Sequence, residues 1–395
     1  MESSRKNRAL YIDKEALSAL TFVQEGFLYP VTGLMNRTQM LQNLETKKIK
    51  DKTFPFPFIL APSGVRNKEI LTTIEKDEIL NLICDGIHIG EIKNDEVFKI
   101  NPKDRLRQIY GTFDPTHPGV AQTLSRIGDY AICGEYTLYN ATLPNRNLIK
   151  EAKERVDAKR ISAIMMAANP LHRGHERLIR QTLDKTDLVV IFLLKSNHSD
   201  GLSYELRYKA IQYFVDNFLP KNRVVIVPLD HNYLFAGYNE VIIDAIVAKN
   251  HGCNQLVIGQ NHAGVGMYYH ENMNRSIIDQ IDGTDINLEI RSEYVYCNEC
   301  KTLVSTKTCP HGQHHQISYR SDSILELMKL GLLPPAVLVR TEISAIVLSS
   351  LFPKRFKNLE KLYYDILPVS GLLEDHSEED FYNELMRLYQ TTSLT

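Results

Sequence analysis

Long apolar runs are missing from this sequence: none approaches the roughly 20 residues that would span a bilayer, so a helical membrane anchor is not expected. A one-sided charge balance is missing too. Lys plus Arg number 46 against 48 Asp plus Glu, a formal net charge of -2, which gives no general attraction to nucleic acid or to an anionic membrane. Any basic site must therefore be local. The opening "MESSRKNRALYIDKEAL" lacks the apolar core and small-residue cleavage site of a secretory signal, and the expected location is cytoplasmic. Cysteine is scarce, at six in 395 residues. Cys84, Cys133 and Cys253 stand alone in apolar surroundings, as buried free thiols do. Cys297, Cys300 and Cys309 cluster, and in a reducing compartment such a cluster points to metal more than to disulfides.

The length exceeds what one hydrophobic core usually organises, so two or three domains are expected. Up to about residue 150, short runs such as "FPFPFILAP", "GIHIGEI", "DEVFKINP" and "DYAICGEYTLYN" are broken by Pro and Gly, which reads as a mostly β, barrel-like domain. A few helices are expected there, one of them over "IEKDEILNLI". From Ile161 the pattern changes to continuous apolar runs, "ISAIMMA", "LVVIFLL", "RVVIVPL" and "QLVIG", separated by helical stretches. Runs buried on both faces and alternating with helices indicate an α/β domain with a parallel sheet, whose ligands bind beyond the carboxyl ends of the strands. The boundaries drawn are 1–158 for the β-rich domain, 159–290 for the α/β catalytic domain, 291–352 for a Cys/His insert with helices, and 353–395 for a helical tail.

Two stretches fall at strand ends. In "MMAANPLHRGHERL" a buried strand ends in Asn169-Pro170 and a helix begins near His172, so backbone N–H groups and the helix dipole there favour an anion. His172 and His175, one turn apart, can donate to phosphate oxygens and stabilise charge on a departing pyrophosphate. A lone H-x-x-H is also what two surface histidines give. The order strand, Asn-Pro, histidine pair, helix favours phosphate. In "LVIGQNHAGVGMYY", Gly259, Gly264 and Gly266 allow a ligand close to the backbone, with His262 between them. The insert "YCNECKTLVSTKTCPHGQHH" has C-x-x-C spacing at Cys297 and Cys300, with Cys309 to follow and a histidine as fourth ligand. His314 is favoured because a short spacer lets the chain turn back, and His311 is the alternate. A closed site of this kind is structural zinc, without a part in turnover.

The sequence resembles the sulfate adenylyltransferases, or ATP sulfurylases, over roughly residues 15–345. The resemblance rests on "EGFLYPVTGLMN", "YGTFDPTHPGV", "NPLHRGHE", "AIVAKNHGCNQLVIG", "HAGVG" and "STKTCPH". It implies a PUA-like β domain, then a Rossmann-like nucleotidyltransferase domain of the H-x-x-H superfamily, in a homo-oligomer. It also implies ATP as substrate, with Mg2+ and in-line attack of an anionic acceptor on the α-phosphate; the sequence leaves another nucleoside triphosphate open, since adenine recognition in such sites is largely by backbone. Carried over, Asn169, His172 and His175 hold the triphosphate, and Gly259, His262, Ala263 and Gly264 line the nucleotide. Some bacterial members carry a zinc with the Cys-Cys-Cys-His pattern.

The departures lie on the acceptor side. Where the family writes Gln-Thr-Arg-Asn-Pro, this chain has Met166, Ala167, Ala168, Asn169 and Pro170. Gln260 replaces another arginine of the family, Leu234 a third, and a Ser-Gly-Thr segment has become "SYRSDSIL", where Arg320 is new. Arg173 and Arg207 match arginines the family already has. A close unit-charge pair near a protein surface is worth on the order of 4 kcal/mol at an effective dielectric of about 20, so losing these cations leaves sulfate desolvation largely uncompensated. An acceptor pocket of Met166, Ala168, Gln260 and Arg207 suits a larger anion, such as an organic phosphate or phosphonate. Lys195, His198 and Asp200, after "VVIFLL", are either acceptor contacts or a solvated loop. His117 reads as a packing residue. Three readings follow: nucleotidyl transfer to an acceptor other than sulfate, true sulfate adenylyl transfer, and a nucleotide-binding regulator without catalysis.

Overall fold

The computed structural model describes residues 8–139, 143–195, 201–230, 232, 234–235, 237, 239–260, 262, 283–367 and 376–390. Its N-terminal part runs β1 (Ala9–Tyr11), α1 (Lys14–Gln24), α2 (Arg37–Thr46), β2 (Lys48–Ile49), β3 (Lys52–Thr53), β4 (Leu60–Pro62), α3 (Val65–Thr73), β5 (Ile79–Cys84), β6 (Ile87–Lys93), β7 (Glu96–Lys99), α4 (Pro102–Tyr110), α5 (Pro118–Leu124), β8 (Ile127–Cys133), β9 (Tyr136–Leu138) and α6 (Asn145–Val156). Then come β10 (Ile161–Met166), α7 (Arg173–Leu183), β11 (Leu188–Lys195), α8 (Tyr204–Phe218), β12 (Val224–Asp230), α9 (Glu240–Asn250), β13 (Gln255–Gly259) and β14 (Asn287–Arg291). The last part holds β15 (Tyr294–Cys297), β16 (Thr302–Ser305), β17 (Gln316–Ser318), α10 (Ser321–Lys329), α11 (Thr341–Leu351), α12 (Leu359–Ile366) and α13 (Glu378–Gln390). Among the described residues no helix is long and apolar enough to cross a membrane.

The chain divides into two compact units, Met1–Met165 with Val227–Arg291, and Met166–Ile226 with Ser292–Thr395. In the first, the β-rich part forms a four-stranded sheet, β1-β5-β6-β9, and a three-stranded sheet, β4-β8-β7. "FPFPFILAP" is a strand only over Leu60–Pro62. Phe54, Phe56 and Phe58 are fully buried ahead of it, but Pro55 and Pro57 have no N–H to give a ladder. The helix expected over "IEKDEILNLI" is absent. Ile79–Cys84 is instead strand β5, parallel to β1 and antiparallel to β6. Its buried residues Leu80, Leu82 and Cys84 alternate, and Asp77, in the left-handed region at φ 66°, turns the chain just before it. Pairing on both sides outweighed a helix-like spacing of apolar residues. Cys84, Cys133 and Cys253 are buried free thiols, and burial pushes Cys253 up to about 12.

The expected α/β pattern is present. All of β10 is buried, and it pairs in parallel with β13, which pairs in parallel with β14. Strand order in this five-stranded sheet is β12-β11-β10-β13-β14, so its direction of growth reverses between β10 and β13. In open α/β sheets that reversal, at the carboxyl ends, is where ligands bind. Residues 169–175 follow β10. In the second unit β15 pairs antiparallel with β16 and β17, and a small core of Tyr363, Leu367 and Phe381 joins α12 to α13.

Candidate active site

The histidine pair caps its own helix. His172 stands at the N-cap of α7 with extended backbone, and its Nδ1 accepts from the His175 backbone N–H at 3.3 Å. The Nδ1 of His175 accepts in return from the His172 backbone N–H, also at 3.3 Å. Two orphan donors of the helix start are thereby satisfied by imidazoles, where Ser/Thr and Glu/Gln usually serve. An accepting Nδ1 places the proton of a neutral ring on Nε2, so this pattern assigns both rings as Nε2–H donors. The rings stack at 3.6 Å between centroids and 17° between planes. Burial holds His175 down at about 4 and His172 well below the ordinary histidine value, helped there by the neighbouring His175. The pair is neutral at pH 7.

The residues around it fix its place. Ala168, at φ 48°, has the left-handed conformation that costs an L-residue about 1 kcal/mol, and it turns the chain out of the strand end. Asn169 Oδ1 accepts from the Leu202 N–H at 2.8 Å, and Gly201 lies so close that an added Cβ would come within 2.6 Å of Asn169 Nδ2. Arg207, 5% exposed, donates through Nη1 to the carbonyls of Ala167 (2.7 Å) and Leu194 (2.8 Å) and through Nε to that of Leu202 (3.1 Å). Nε and Nη1 are thus spent on backbone carbonyls. Met166 and Ala168 are buried and bring no charge. Arg320, the new arginine, is exposed at the start of α10. Lys195 lies over the Tyr204 ring at 5.7 Å, while His198 and Asp200 lie outside the described residues.

Three groups that sequence reasoning passed over hold α7. Buried Glu176 accepts from Arg340 through Nε (3.0 Å) and Nη2 (2.7 Å), and from Arg173 Nη1 (3.1 Å). Tyr319, at the end of β17, stacks on His172 at 5.5 Å and donates its hydroxyl to the Val337 carbonyl at 2.7 Å. Glu176 stood inside the quoted "NPLHRGHE" and Tyr319 inside "SYRSDSIL". Arg340 carried no local signal.

In the other unit, Gly259 has no described atom within 4 Å of where a Cβ would stand. The Gln260 N–H donates to the Arg291 carbonyl at 2.9 Å. Nε2 of His262 lies 2.6 Å from Asp244 Oδ2 and 3.9 Å from Glu240 Oε1. Burial alone would lower His262, but Asp244 and then Glu240 raise it above its ordinary value. Ala263 and Gly264 lie outside the described residues.

The Cys/His insert brings four ligand-bearing groups together, with one correction. Sγ of Cys297, Cys300 and Cys309 lie 3.4, 3.3 and 3.6 Å from Nδ1 of His311, and Cys300 lies 3.9 Å from Cys309. Tetrahedral zinc with ordinary bond lengths spaces such atoms by roughly 3.5–3.8 Å, so the donor set fits. The histidine facing the sulfurs is His311, not the favoured His314. His311 follows Cys309 by one intervening proline, whereas the 3-10 turn Gln313–His315 carries His314 outward against His315, at 4.0 Å. Burial pushes the Cys297 thiol up, but the N–H groups of Cys300 and Glu299 and the adjoining thiols bring it down to about 7.

The buried neutral histidines make stability acid-sensitive. His251, stacked on Phe27 at 3.8 Å, is also held by burial at about 4. Between pH 6.5 and 4 the unfolded chain binds protons that folded His175 and His251 refuse, so stability is full above pH 6.5 and falls as pH falls. For His251 the loss across that window is on the order of 3 kcal/mol, and less for the half-buried His175. Thermal melts should show Tm falling steadily from pH 7 to 5. A Tm constant over that range contradicts this assignment.

Comparison with known proteins places the chain. The ATP-sulfurylase family model matches residues 143–350, and a PUA-like domain model matches residues 1–141. A sulfate adenylyltransferase of Staphylothermus marinus is 30% identical over 354 residues, covering 86% of this chain and 90% of that protein. One of Chloroflexus aurantiacus is 27% identical, with the same coverage of 86% and 90%. Among solved structures, the hexameric APS kinase from Thiobacillus denitrificans superposes with a TM-score of 0.64 at 18% identity, over 86% of this chain and 62% of that one, and supports the fold alone. With more than half its length under the family model, this chain belongs to the ATP-sulfurylase family and is an adenylyltransferase enzyme, built as a PUA-like domain followed by a nucleotidyltransferase domain.

Proposed function

We propose that this enzyme transfers AMP from ATP to an anionic acceptor other than sulfate, releasing pyrophosphate. The observation that carries the proposal is a contrast within one strand end. Beyond β10 the phosphate-side groups are kept: two neutral imidazoles turned so that Nε2–H can donate, at a helix N-terminus. On the acceptor side, Met166 and Ala168 are buried and uncharged. In this reading the His172 and His175 Nε2–H groups bind phosphate oxygens of ATP and strengthen their bonds as charge gathers on pyrophosphate. Asn169 orders the Gly201–Leu202 segment through Oδ1 and offers Nδ2 to the triphosphate. Arg207 fixes the carbonyls at the ends of β10 and β11 and presents Nη2 to the acceptor. Mg2+, when bound with the nucleotide, would supply charge neutralisation for the leaving pyrophosphate. At the insert, Cys297, Cys300, Cys309 and His311 would hold a structural zinc.

Sulfate is the second reading, favoured by the names of the sequence relatives. A product screen separates the two: enzyme, Mg-ATP, inorganic pyrophosphatase and a panel of sulfate, organic phosphates and phosphonates, read by mass spectrometry. The expected result is an adenylylated organic acceptor without adenylyl sulfate. Adenylyl sulfate as the sole product overturns the proposal.

A further inference from the structure

We propose that Asp244, backed by Glu240, is a positioning residue that commits one ring N–H of His262 to the protein and thereby presents the other to the phosphates of the nucleotide. This rests on the adenylyltransferase reading above and names a part of that site no sequence motif suggested.

The argument begins with α9. Val241, Ile242, Ile243, Ala245, Ile246, Val247 and Ala248 are all buried, and Asp244, in their midst, is only 1% exposed. A carboxylate in such a helix costs several kcal/mol unless a cation meets it. That partner is the His262 ring, with Nε2 at 2.6 Å from Asp244 Oδ2. Glu240, one helical turn before Asp244, stands 3.9 Å from the same nitrogen, and burial together with Asp244 pushes it up to about 8. The contact at 2.6 Å and the raised His262 thus favour a protonated ring against the Asp244 carboxylate, while Glu240 stays neutral at pH 7. Among the described residues these two carboxyl groups are the titratable neighbours that act on His262.

The chemistry depends on this balance. A neutral His262 that gives Nε2–H to Asp244 carries a lone pair on Nδ1, which repels a phosphate oxygen. The imidazolium carries a proton on each nitrogen, so Nδ1–H can donate while Nε2–H stays on Asp244. His172 and His175 are arranged oppositely, neutral and held at Nδ1.

The test is Asp244→Asn in the full chain, an isosteric change that removes the charge and keeps the shape. The His262 imidazole is titrated by nitrogen-15 NMR, and Mg-ATP binding is measured calorimetrically at pH 6 and 8 without acceptor. The expected result is a His262 pKa lower by at least one unit. Mg-ATP binding should be about tenfold weaker at pH 8 and largely restored at pH 6, where the ring regains its proton. An unchanged His262 titration overturns the proposal. So does a lowered pKa with Mg-ATP affinity unaltered at both pH values, because the dyad then exists without serving the nucleotide. Wild-type protein that fails to bind Mg-ATP overturns the underlying reading and the proposal with it, a result separable from the variant's behaviour.

Discussion

His172→Ala is expected to lower turnover by about 10²–10³-fold, the usual effect of removing a donor aimed at developing charge. The substitution deletes the Nε2–H and also Nδ1, the acceptor that caps the His175 N–H. The lost cap costs about 1 kcal/mol of stability. A second variant separates the two effects. Asn caps helices well, so His172→Asn should regain stability while turnover stays low. Steady-state kinetics with the identified acceptor, alongside thermal melts, read both. Turnover above a tenth of wild type in His172→Ala contradicts the role, and the non-catalytic regulator reading is excluded if the variant abolishes a turnover that wild type shows.

Loss of the proposed zinc should have the next largest effect, and on stability first. Cys297 ends β15, so the proposed ligand set would hold the three-stranded sheet whose last strand, β17, leads to Tyr319 on the His172 ring. Structural zinc in small domains contributes on the order of 10 kcal/mol to folding. Within a larger unit a loss of several kcal/mol, and a Tm lower by roughly 10 °C, is expected for Cys297→Ser. Turnover should fall with it, through release of Tyr319. Metal analysis should find about one zinc per chain in wild type and in His314→Ala, and little in Cys297→Ser or His311→Ala. Less than half an equivalent in wild type, or retention by His311→Ala, contradicts the assignment.

Legibility in the sequence followed the range of the interactions. β10, with every residue buried, and β13 were readable because a strand covered on both faces is apolar throughout. The start of α7 was readable because its cap lies within four residues. β5 was misread because its partners, β1 and β6, decide its state and the spacing Ile79, Leu80, Ile83 fits a helix as well. His311 against His314 depended on a local turn that composition does not encode. Arg340, 164 residues from Glu176, and the pairing of Asp244 with His262 arise only when the chain folds. Near β10, then, the capped start of α7 was legible and its long-range supports were not.

The central claim, a retained nucleotide grip with an altered acceptor side, meets its most direct measurement in isotope exchange between pyrophosphate and ATP. Adenylyl transfer is reversible, so exchange requires the true acceptor and no other. The account predicts that purified enzyme with Mg2+ exchanges label when its organic acceptor is supplied and remains at background with sulfate alone. Exchange that rises and saturates with sulfate contradicts it.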